Sequence, residues 1–194
     1  MKDISEQEIH EIVQRVVHQS MGDTTSSASP EGAKISSKGK RVVAIGTDHG
    51  GLDLKEALKQ SLIEQNYEVM DVGTHTKDSV DYPDIALKVT ERVASGEAWR
   101  GVIIDGAGIG SCMAANKVPG IRAALCYDYA TAVNSREHNN ANVLTLGAGL
   151  IGINLAKQIL NTWLATEFGG GRHAGRVDKI TAIEKRFLLD GNQP

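Results

Sequence analysis

The chain has 194 residues, a formal net charge of -3 and a sequence pI of about 6.1. No basic excess could hold a nucleic-acid backbone, and no apolar run approaches the ~18 residues that a membrane helix needs, so we expect neither nucleic acid nor membrane as a partner. Gly supplies 21 residues and aromatic residues only 4%, which is typical of an α/β fold. Two cysteines, Cys112 and Cys126, are too few for a disulfide framework and predict reduced thiols in a cytoplasmic protein.

The beginning of the chain differs in composition from the rest. Five aliphatic side chains recur there at helical spacing: Ile9, Ile12, Val13, Val16 and Val17. They predict an amphipathic helix over residues 1–21 with these five side chains on one face. This aliphatic stripe could dock on a partner protein, pack on the chain's own domain, or pair with the same helix of a second copy. Residues 22–40 are rich in Ser, Thr and Gly and predict a flexible linker. A packed domain is expected over residues 41–194.

Within that domain, apolar runs that suit buried strands alternate with segments of helical spacing. The predicted strands cover residues 41–46, 68–72, 101–104, 121–126 and 143–146. The predicted helices cover residues 52–65, 85–94, 111–117, 129–137 and 150–165. The alternation predicts βαβ units and a Rossmann-like three-layer α/β fold, with a parallel sheet flanked by helices. Sites in such sheets form at the carboxyl ends of the strands.

Polar residues follow several of these elements. Four of them come after predicted strands, namely Asp48, His49, Tyr82 and Asp105. The other four come after predicted helices, namely His138, Asn139, Arg172 and Arg176. Each one alone is explained equally well as a helix cap, a solvated helix end or a surface charge. Their expected convergence at strand ends favours a site for a polar, anionic small molecule. Asp105 directly follows the apolar run GVII, and such burial makes it a candidate general base.

A glycine-rich turn separates the third predicted strand from its helix. Gly106, Gly108 and Gly110 alternate there with larger residues, up to Ser111. Such glycines let the backbone approach a ligand closely, and N–H groups at a helix N-terminus attract an oxyanion. The spacing fits neither a P-loop nor a dinucleotide-binding motif, so a purely structural tight turn is the alternative interpretation.

Six motifs together carry a specific resemblance to a known family. They are GTDHGG at 46–51, DYPD at 81–84, DGAGIGSCMAANK at 105–117, GIRAAL at 120–125, SREHNNANVLTLG at 135–147 and GGRHAGR at 170–176. In this order they closely resemble the ribose-5-phosphate isomerase B family, which includes galactose-6-phosphate isomerase subunits. The resemblance covers about residues 41–187. It implies a homodimer or dimer of dimers with active sites at the dimer interface, and an aldose–ketose interconversion of a sugar phosphate through an enediolate, without metal or cofactor.

The resemblance also implies residue roles. The residues that would open the sugar ring and move the proton are Asp48, Asp105 and His138. The residues that would hold the phosphate, the hydroxyls and the enediolate are His49, Tyr82, Gly106, Gly108, Gly110, Ser111, Asn139, Arg172 and Arg176. Among these, the histidine and the two arginines bind the phosphate, and the backbone of the glycine turn forms the anion hole.

Four positions depart from the family pattern. Many members carry the base as Cys where this chain has Asp105, and a second group has Glu at the position of Ser111. The usual Thr or Ser is replaced by Ala107, and an Arg that commonly contacts the phosphate is replaced by Gly149. The leading hypothesis is a ribose 5-phosphate isomerase with Asp105 as base. The alternatives are a non-catalytic sugar-phosphate-binding member and an isomerase for a different sugar phosphate.

The predicted helix over residues 1–21 and its linker resemble the encapsulation peptides of enzymes housed in bacterial microcompartments. This resemblance implies that shell or cargo proteins bind residues 1–21. It also implies that the protein resides in the lumen of a microcompartment within the cytoplasm.

Overall fold

The computed structural model describes residues 40–190, so the predicted tail helix and almost all of the predicted linker lie outside the described residues. The strands are β1 (Val42–Thr47), β2 (Glu68–Asp71), β3 (Arg100–Asp105), β4 (Ala123–Leu125) and β5 (Val143–Gly147). The helices are α1 (Leu52–Glu64), α2 (Tyr82–Ala94), α3 (Ile109–Ala115), α4 (Tyr129–Glu137), α5 (Ile153–Ala165) and α6 (Ala174–Asp190).

All five strands are parallel and lie in the order β2-β1-β3-β5-β4. Every residue of β3 and β5 is buried. Strands that are covered by helices on both faces read as continuous apolar runs, which is the pattern that predicted them. The predicted α/β fold with a parallel sheet flanked by helices is therefore confirmed.

Two hydrophobic clusters hold the helices on the two faces of the sheet. On one face, α1, α4 and α5 contribute fully buried side chains such as Leu58, Leu160 and Trp163. On the other face, α2 and α3 pack through residues such as Ile85 and Ala115. Each large aliphatic side chain that is removed from water in this way contributes about 1.5–3 kcal/mol.

Several boundaries differ from the predicted ones. Helix α2 begins at Tyr82, three residues before the predicted start, because Pro83 is favourable in the first turn of a helix. Helix α3 begins at Ile109, directly after Gly108, whose φ of 75° is in the left-handed region. Helix α5 begins at Ile153, after a turn at residues 148–151, and strand β4 is shorter than predicted.

Helix α6 was not predicted. Its apolar residues Val177, Ile180, Ile183 and Phe187 recur at steps of three and four, the signal that indicates a helix. Val177 is buried, whereas Ile183 and Phe187 are 61% and 67% exposed, so much of this apolar face is uncovered in one chain. Neither α6 nor any other helix within residues 40–190 is long and apolar enough to cross a membrane.

Candidate functional site

Asp48 and His49 lie where β1 ends, at the carboxyl edge of the sheet. The Asp48 side chain is 8% exposed, and its Oδ1 accepts a hydrogen bond from the Gly50 N–H at 2.9 Å. His49 is exposed, and its Nδ1 accepts a hydrogen bond from the Val80 N–H at 3.4 Å. A ring that accepts at Nδ1 keeps Nε2 available to a ligand.

Asp105 ends β3 at the same edge, and its carboxylate organises the glycine turn. Its Oδ1 accepts hydrogen bonds from the N–H groups of Ala107, at 2.8 Å, and Gly108. Its Oδ2 accepts one from the Ser111 N–H at 3.0 Å. A carboxylate offers about four acceptor positions, so one position remains on Oδ2. Asp105 is thus the cap of the turn, and a proton acceptor only through that remaining position.

The same contacts divide the N–H groups of the turn into two sets. Those of Ala107, Gly108 and Ser111 point at Asp105 and are occupied. Among the described residues, the N–H groups of Gly106, Ile109 and Gly110 have no acceptor, and the last two lie in the first turn of α3. Free N–H groups at a helix N-terminus bind anions, so those of Ile109 and Gly110 are the members of this second set best placed to form the predicted anion hole.

Two tyrosines enclose the turn. The Tyr82 ring lies directly over Gly110, because a Cβ at that position would stand only 2.5 Å from Tyr82 Cε2. The Tyr127 hydroxyl donates a hydrogen bond to the Ala107 carbonyl at 2.9 Å. Tyr82 was predicted at the sugar site. Tyr127 was missed because its role depends on the sheet placing the end of β4 beside the turn.

A buried lysine, also missed by the sequence analysis, anchors the loop that follows β2. Lys55 is fully buried, and its Nζ donates to Asp71 Oδ1 at 3.1 Å and to the Thr74 carbonyl at 2.7 Å. Lys59 Nζ lies 2.7 Å from Asp71 Oδ2. Burial raises the pKa of the Asp71 carboxyl, but the hydrogen bonds from Lys59 and Lys55 outweigh it and place this pKa below its ordinary value.

This cluster also has the composition of a metal site. The potential ligand atoms of Glu56, Asp71 and His75 lie within 4.8 Å of one another. However, the ammonium groups of Lys55 and Lys59 already surround Asp71, so a metal cation would be repelled there. The arrangement is an ion-pair network that holds the loop leading to Tyr82.

His138 and Asn139 follow α4 at the opposite, amino edge of the sheet. Helix α4 runs antiparallel to the strands, and the segment after it returns to the start of β3 and β4. There the Asn142 carbonyl accepts from the Gly101 N–H at 3.0 Å, and the Arg122 Nε donates to the Asn140 carbonyl at 2.9 Å. Asn140 has a φ of 48°, a left-handed conformation that ends the helix.

The predicted phosphate-binding segment after α5 joins His138 at this amino edge. The imidazole rings of His138 and His173 stack with their centroids 4.2 Å apart and their planes at 3°. Arg172 Nε donates to His173 Nε2 at 3.4 Å, and Arg172 and Arg176 are both exposed. Partial burial and the neighbouring His138, Arg172 and Arg176 lower the pKa of His173.

The predicted site residues, together with His173, therefore form two clusters. The carboxyl-edge cluster contains Asp48, His49, Tyr82, Asp105 and residues 106–111. The amino-edge cluster contains His138, Asn139, Arg172, His173 and Arg176. Six-residue β3 separates the two edges, and a strand of that length spans roughly 20 Å. The expected convergence of all these residues at one edge does not occur within one chain.

All four positions that depart from the family pattern lie at or beside the glycine turn. Ser111 is fully buried, and its hydroxyl has no hydrogen-bond partner among the described residues. Gly149 is exposed at the end of β5, and its N–H donates to the Gly106 carbonyl at 2.9 Å. A side chain at position 149 would start 3.0 Å from that carbonyl oxygen, so it would project from the rim of the turn.

Comparison with known proteins identifies the family. Residues 43–180 match the model of the Ribose/Galactose Isomerase family. The chain belongs to this family. A ribose-5-phosphate isomerase B structure from Clostridium thermocellum is 55% identical, with a TM-score of 0.74, over 75% of this chain and 99% of that one. These matches confirm the predicted resemblance for the packed domain.

Two curated relatives differ in the substrate that their names give. Ribose-5-phosphate isomerase B from Escherichia coli (strain K12) is 45% identical over 74% of this chain and 97% of its own length. D-erythrulose-4-phosphate isomerase from Pectobacterium atrosepticum is 42% identical over 73% of this chain and 94% of its own length. The expected class of enzyme, a sugar-phosphate isomerase, is confirmed at the level of the family, whose members act on sugars of different length.

Proposed function

We propose that the chain interconverts ribose 5-phosphate and ribulose 5-phosphate, or a related aldose–ketose phosphate pair, through an enediolate. The observation that carries this proposal is the carboxyl-edge cluster, in which a buried carboxylate lies beside unoccupied N–H groups under a tyrosine ring. Asp105 Oδ2 takes the proton from C2 of the aldose and returns it to C1, and the hydroxyl proton of O2 passes to O1. The N–H groups of Ile109 and Gly110 stabilise the negative charge on the enediolate oxygen between these two transfers. Asp48 binds the ring form and helps to open it.

A second copy of the chain completes this site in our proposal. The amino-edge cluster holds the basic side chains that a phosphate needs, but it lies at the wrong edge to reach Asp105 of the same chain. Apolar residues are exposed beside both clusters: Ile109 at 46%, Met113 at 66% and Phe187 at 67%. Such surfaces mark protein interfaces. A homodimer, alone or paired into a dimer of dimers, would bury them and bring the partner's amino-edge cluster to Asp105.

The proposal is tested by assaying the full chain against ribose 5-phosphate, ribulose 5-phosphate, erythrose 4-phosphate and hexose 6-phosphates, with binding measured in parallel. Turnover of at least one pair is expected. The pair with the highest kcat/KM identifies the substrate and decides whether Gly149, in place of the usual Arg, accompanies a change of sugar. Binding without turnover of any sugar phosphate would contradict an isomerase.

That contrary result would instead support a non-catalytic sugar-phosphate-binding protein. One observation favours this second candidate: three of the four acceptor positions of Asp105 are occupied by the turn that it caps. A carboxylate used in this way can be a purely structural replacement for the usual base. Isotope exchange between C2 of the sugar phosphate and solvent separates the two candidates, because only a working base exchanges this proton.

Packaging in a bacterial microcompartment, within the cytoplasm, is the last part of the proposal. It rests on the aliphatic stripe of residues 1–21 and the polar linker of residues 22–40. Residues 1–21 fused to a fluorescent protein should enter shells, and the double substitution Ile12→Glu with Val16→Glu should prevent entry. A chain that starts at Lys40 should keep full turnover. A diffuse fusion in shell-producing cells, or loss of the folded protein on truncation, would contradict packaging.

A further inference from the structure

The side chains around His138 determine which of its ring nitrogens carries the hydrogen. The starting point is Asn139, whose Nδ2 lies 3.2 Å from the backbone carbonyl oxygen of Asn134. A carbonyl oxygen only accepts hydrogen bonds, so the group of Asn139 that faces it must be the amide NH2 and not the amide oxygen. The orientation of the Asn139 carboxamide is therefore fixed by the backbone.

The same NH2 group fixes the neighbouring carboxamide. Asn139 Nδ2 also lies 3.2 Å from the side-chain Oδ1 of Asn134. Since Asn139 donates there, the facing atom of Asn134 must be its oxygen, and its own NH2 points the other way. That NH2 lies 2.8 Å from Nδ1 of His138. Nδ1 of His138 must accept this bond, because two donors cannot share it.

We infer that this carboxamide relay holds the neutral His138 ring as the tautomer with its hydrogen on Nε2, and that Asn134 is a positioning residue for it. In a neutral imidazole, one nitrogen accepts and the other donates. With Nδ1 engaged as acceptor, Nε2–H is the donor that His138 presents to a ligand. The stacked ring of His173 has a separate partner, since its Nε2 accepts from Arg172 Nε.

The functional half of the inference rests on the proposed function. A sugar phosphate that binds at the amino-edge cluster would receive a hydrogen bond from Nε2–H on its ring oxygen, where negative charge develops as the ring opens. A ring held as the other tautomer would present a lone pair to that oxygen and repel it. Among the residues that the structure describes, no group donates to the side-chain oxygen of Asn139, so that oxygen can still accept from a sugar hydroxyl in its predicted role.

The decisive variant is Asn134→Asp, which is isosteric and still accepts from Asn139. Its second oxygen faces Nδ1 of His138 as an acceptor, so the hydrogen should move from Nε2 to Nδ1. Long-range ¹H–¹⁵N correlation spectra of the full chain report the tautomer, and His138→Gln identifies the His138 signals by their loss. Asn161→Asp is the matched control, because Asn161 Oδ1 already accepts from Gln65 Nε2 and the change preserves this bond.

We expect the Nε2–H tautomer in the native chain and in Asn161→Asp, and Nδ1–H in Asn134→Asp. With the His138 ring neutral, a native spectrum with the hydrogen on Nδ1, or an Asn134→Asp spectrum with it still on Nε2, would overturn the tautomer assignment. Spectra are therefore recorded over a range of pH, because the protonated ring carries hydrogens on both nitrogens. These spectra need no turnover, so they stand apart from the proposed function. A native chain with the Nε2–H tautomer and no turnover of any sugar phosphate would contradict the proposed function and support the assignment.

Kinetics test the positioning role. For ribose 5-phosphate, which forms a furanose ring, kcat of Asn134→Asp should fall on the order of 10²-fold, the usual size of such an effect, with a smaller change in KM. Erythrose 4-phosphate cannot close a furanose ring because its O4 carries the phosphate, so its turnover should fall much less. An equal fall for both substrates would indicate a merely structural effect and overturn the positioning role.

Discussion

Gly110 and Tyr82 are in direct contact across the glycine turn. A Cβ built on Gly110 would stand 2.5 Å from Tyr82 Cε2 and 2.9 Å from its hydroxyl oxygen. The tyrosine ring, which is 41% exposed, can therefore lie over the first turn of α3 only while position 110 lacks a side chain. The contact links the end of the loop after β2 to the N–H groups that the proposed function uses.

Gly110→Ala should displace the Tyr82 ring while leaving the fold intact. Alanine is favoured over glycine in a helix by up to ~1 kcal/mol, which offsets the cost of moving a partly exposed ring, so the unfolding free energy should change by less than about 1 kcal/mol. KM for the sugar phosphate should rise roughly tenfold, as expected for ~1.4 kcal/mol of lost contact. Gly152→Ala, where a Cβ meets nothing within 4 Å, is the control. An unchanged KM for Gly110→Ala would remove Tyr82 from the sugar site.

Asp105→Asn should abolish turnover but leave sugar-phosphate binding measurable. The amide NH2 of asparagine would face a backbone N–H of the turn, so the unfolding free energy should also fall by roughly 1–3 kcal/mol. Asp105→Cys distinguishes the role of Asp105 as base from its role as cap of the turn. This variant loses the hydrogen bonds of the carboxylate but restores the cysteine base that many family members carry. Measurable turnover by the cysteine variant alone supports a base at position 105. Full activity of Asp105→Asn would show that the base lies elsewhere.

Two inactive variants should restore activity when they form mixed dimers. A dimer of one Asp105→Asn chain and one His138→Ala chain contains one site with both native residues, if each site combines the two edges of different chains. Random pairing should then give about one quarter of the native activity, since half of the dimers are mixed and each has one intact site of two. Native mass spectrometry confirms that mixed dimers are present. If they are present and inactive, the two residues belong to one chain's site.

Lys55→Met should destabilise the fold by roughly 2–4 kcal/mol, because it removes the buried ammonium that pairs with the Asp71 carboxylate and leaves the Thr74 carbonyl without its donor. Denaturant unfolding measures the change. Lys88→Met, on the exposed face of α2, is the matched control and should change stability by less than about 0.5 kcal/mol. A loss as small as the control's would mean that water replaces the buried ammonium without cost.

The same network predicts a pH dependence of stability. Asp71 has a folded-state pKa below its ordinary value, because the Lys59 and Lys55 hydrogen bonds outweigh the effect of burial. Its stabilising contribution is therefore complete above the unfolded-state pKa of about 3.9 and is lost as the pH falls through the folded-state value. Unfolding free energies measured between pH 7 and pH 3 should fall less steeply for Asp71→Asn than for the native chain. Parallel curves would contradict this assignment.

The two cysteines should differ in reactivity. Burial raises the pKa of the Cys126 thiol to about 11, so this thiol stays protonated at pH 8. Cys112 is partly exposed. A thiol-directed alkylating reagent at pH 8 should label Cys112 in the folded chain and label Cys126 only after unfolding, because the thiolate is the reactive form. Peptide mass spectrometry identifies the labelled residue, and early labelling of Cys126 would contradict its burial.

The sequence by itself determined the layered architecture and most of its elements. Apolar runs such as the one that ends at Asp105 marked the central strands, because a strand covered on both faces needs apolar residues at every position. Helix α4 was predicted with its observed bounds of residues 129–137. The motifs identified the family without reference to any structure, and they named the residues of both clusters. Helix α6 was not predicted, although its apolar residues recur at steps of three and four, the spacing that indicates a helix.

Only the tertiary structure decided how those residues are grouped. A helix between parallel strands returns the chain to their amino edge, so His138, at the end of a helix, lies a strand length away from Asp105, at the end of a strand. The occupied acceptor positions of Asp105 and the burial of Lys55 likewise depend on contacts between segments distant in the chain. Sequence spacing specifies local periodicity and motif chemistry. Which edge a side chain reaches, and which hydrogen bonds remain free there, are fixed only when the sheet assembles.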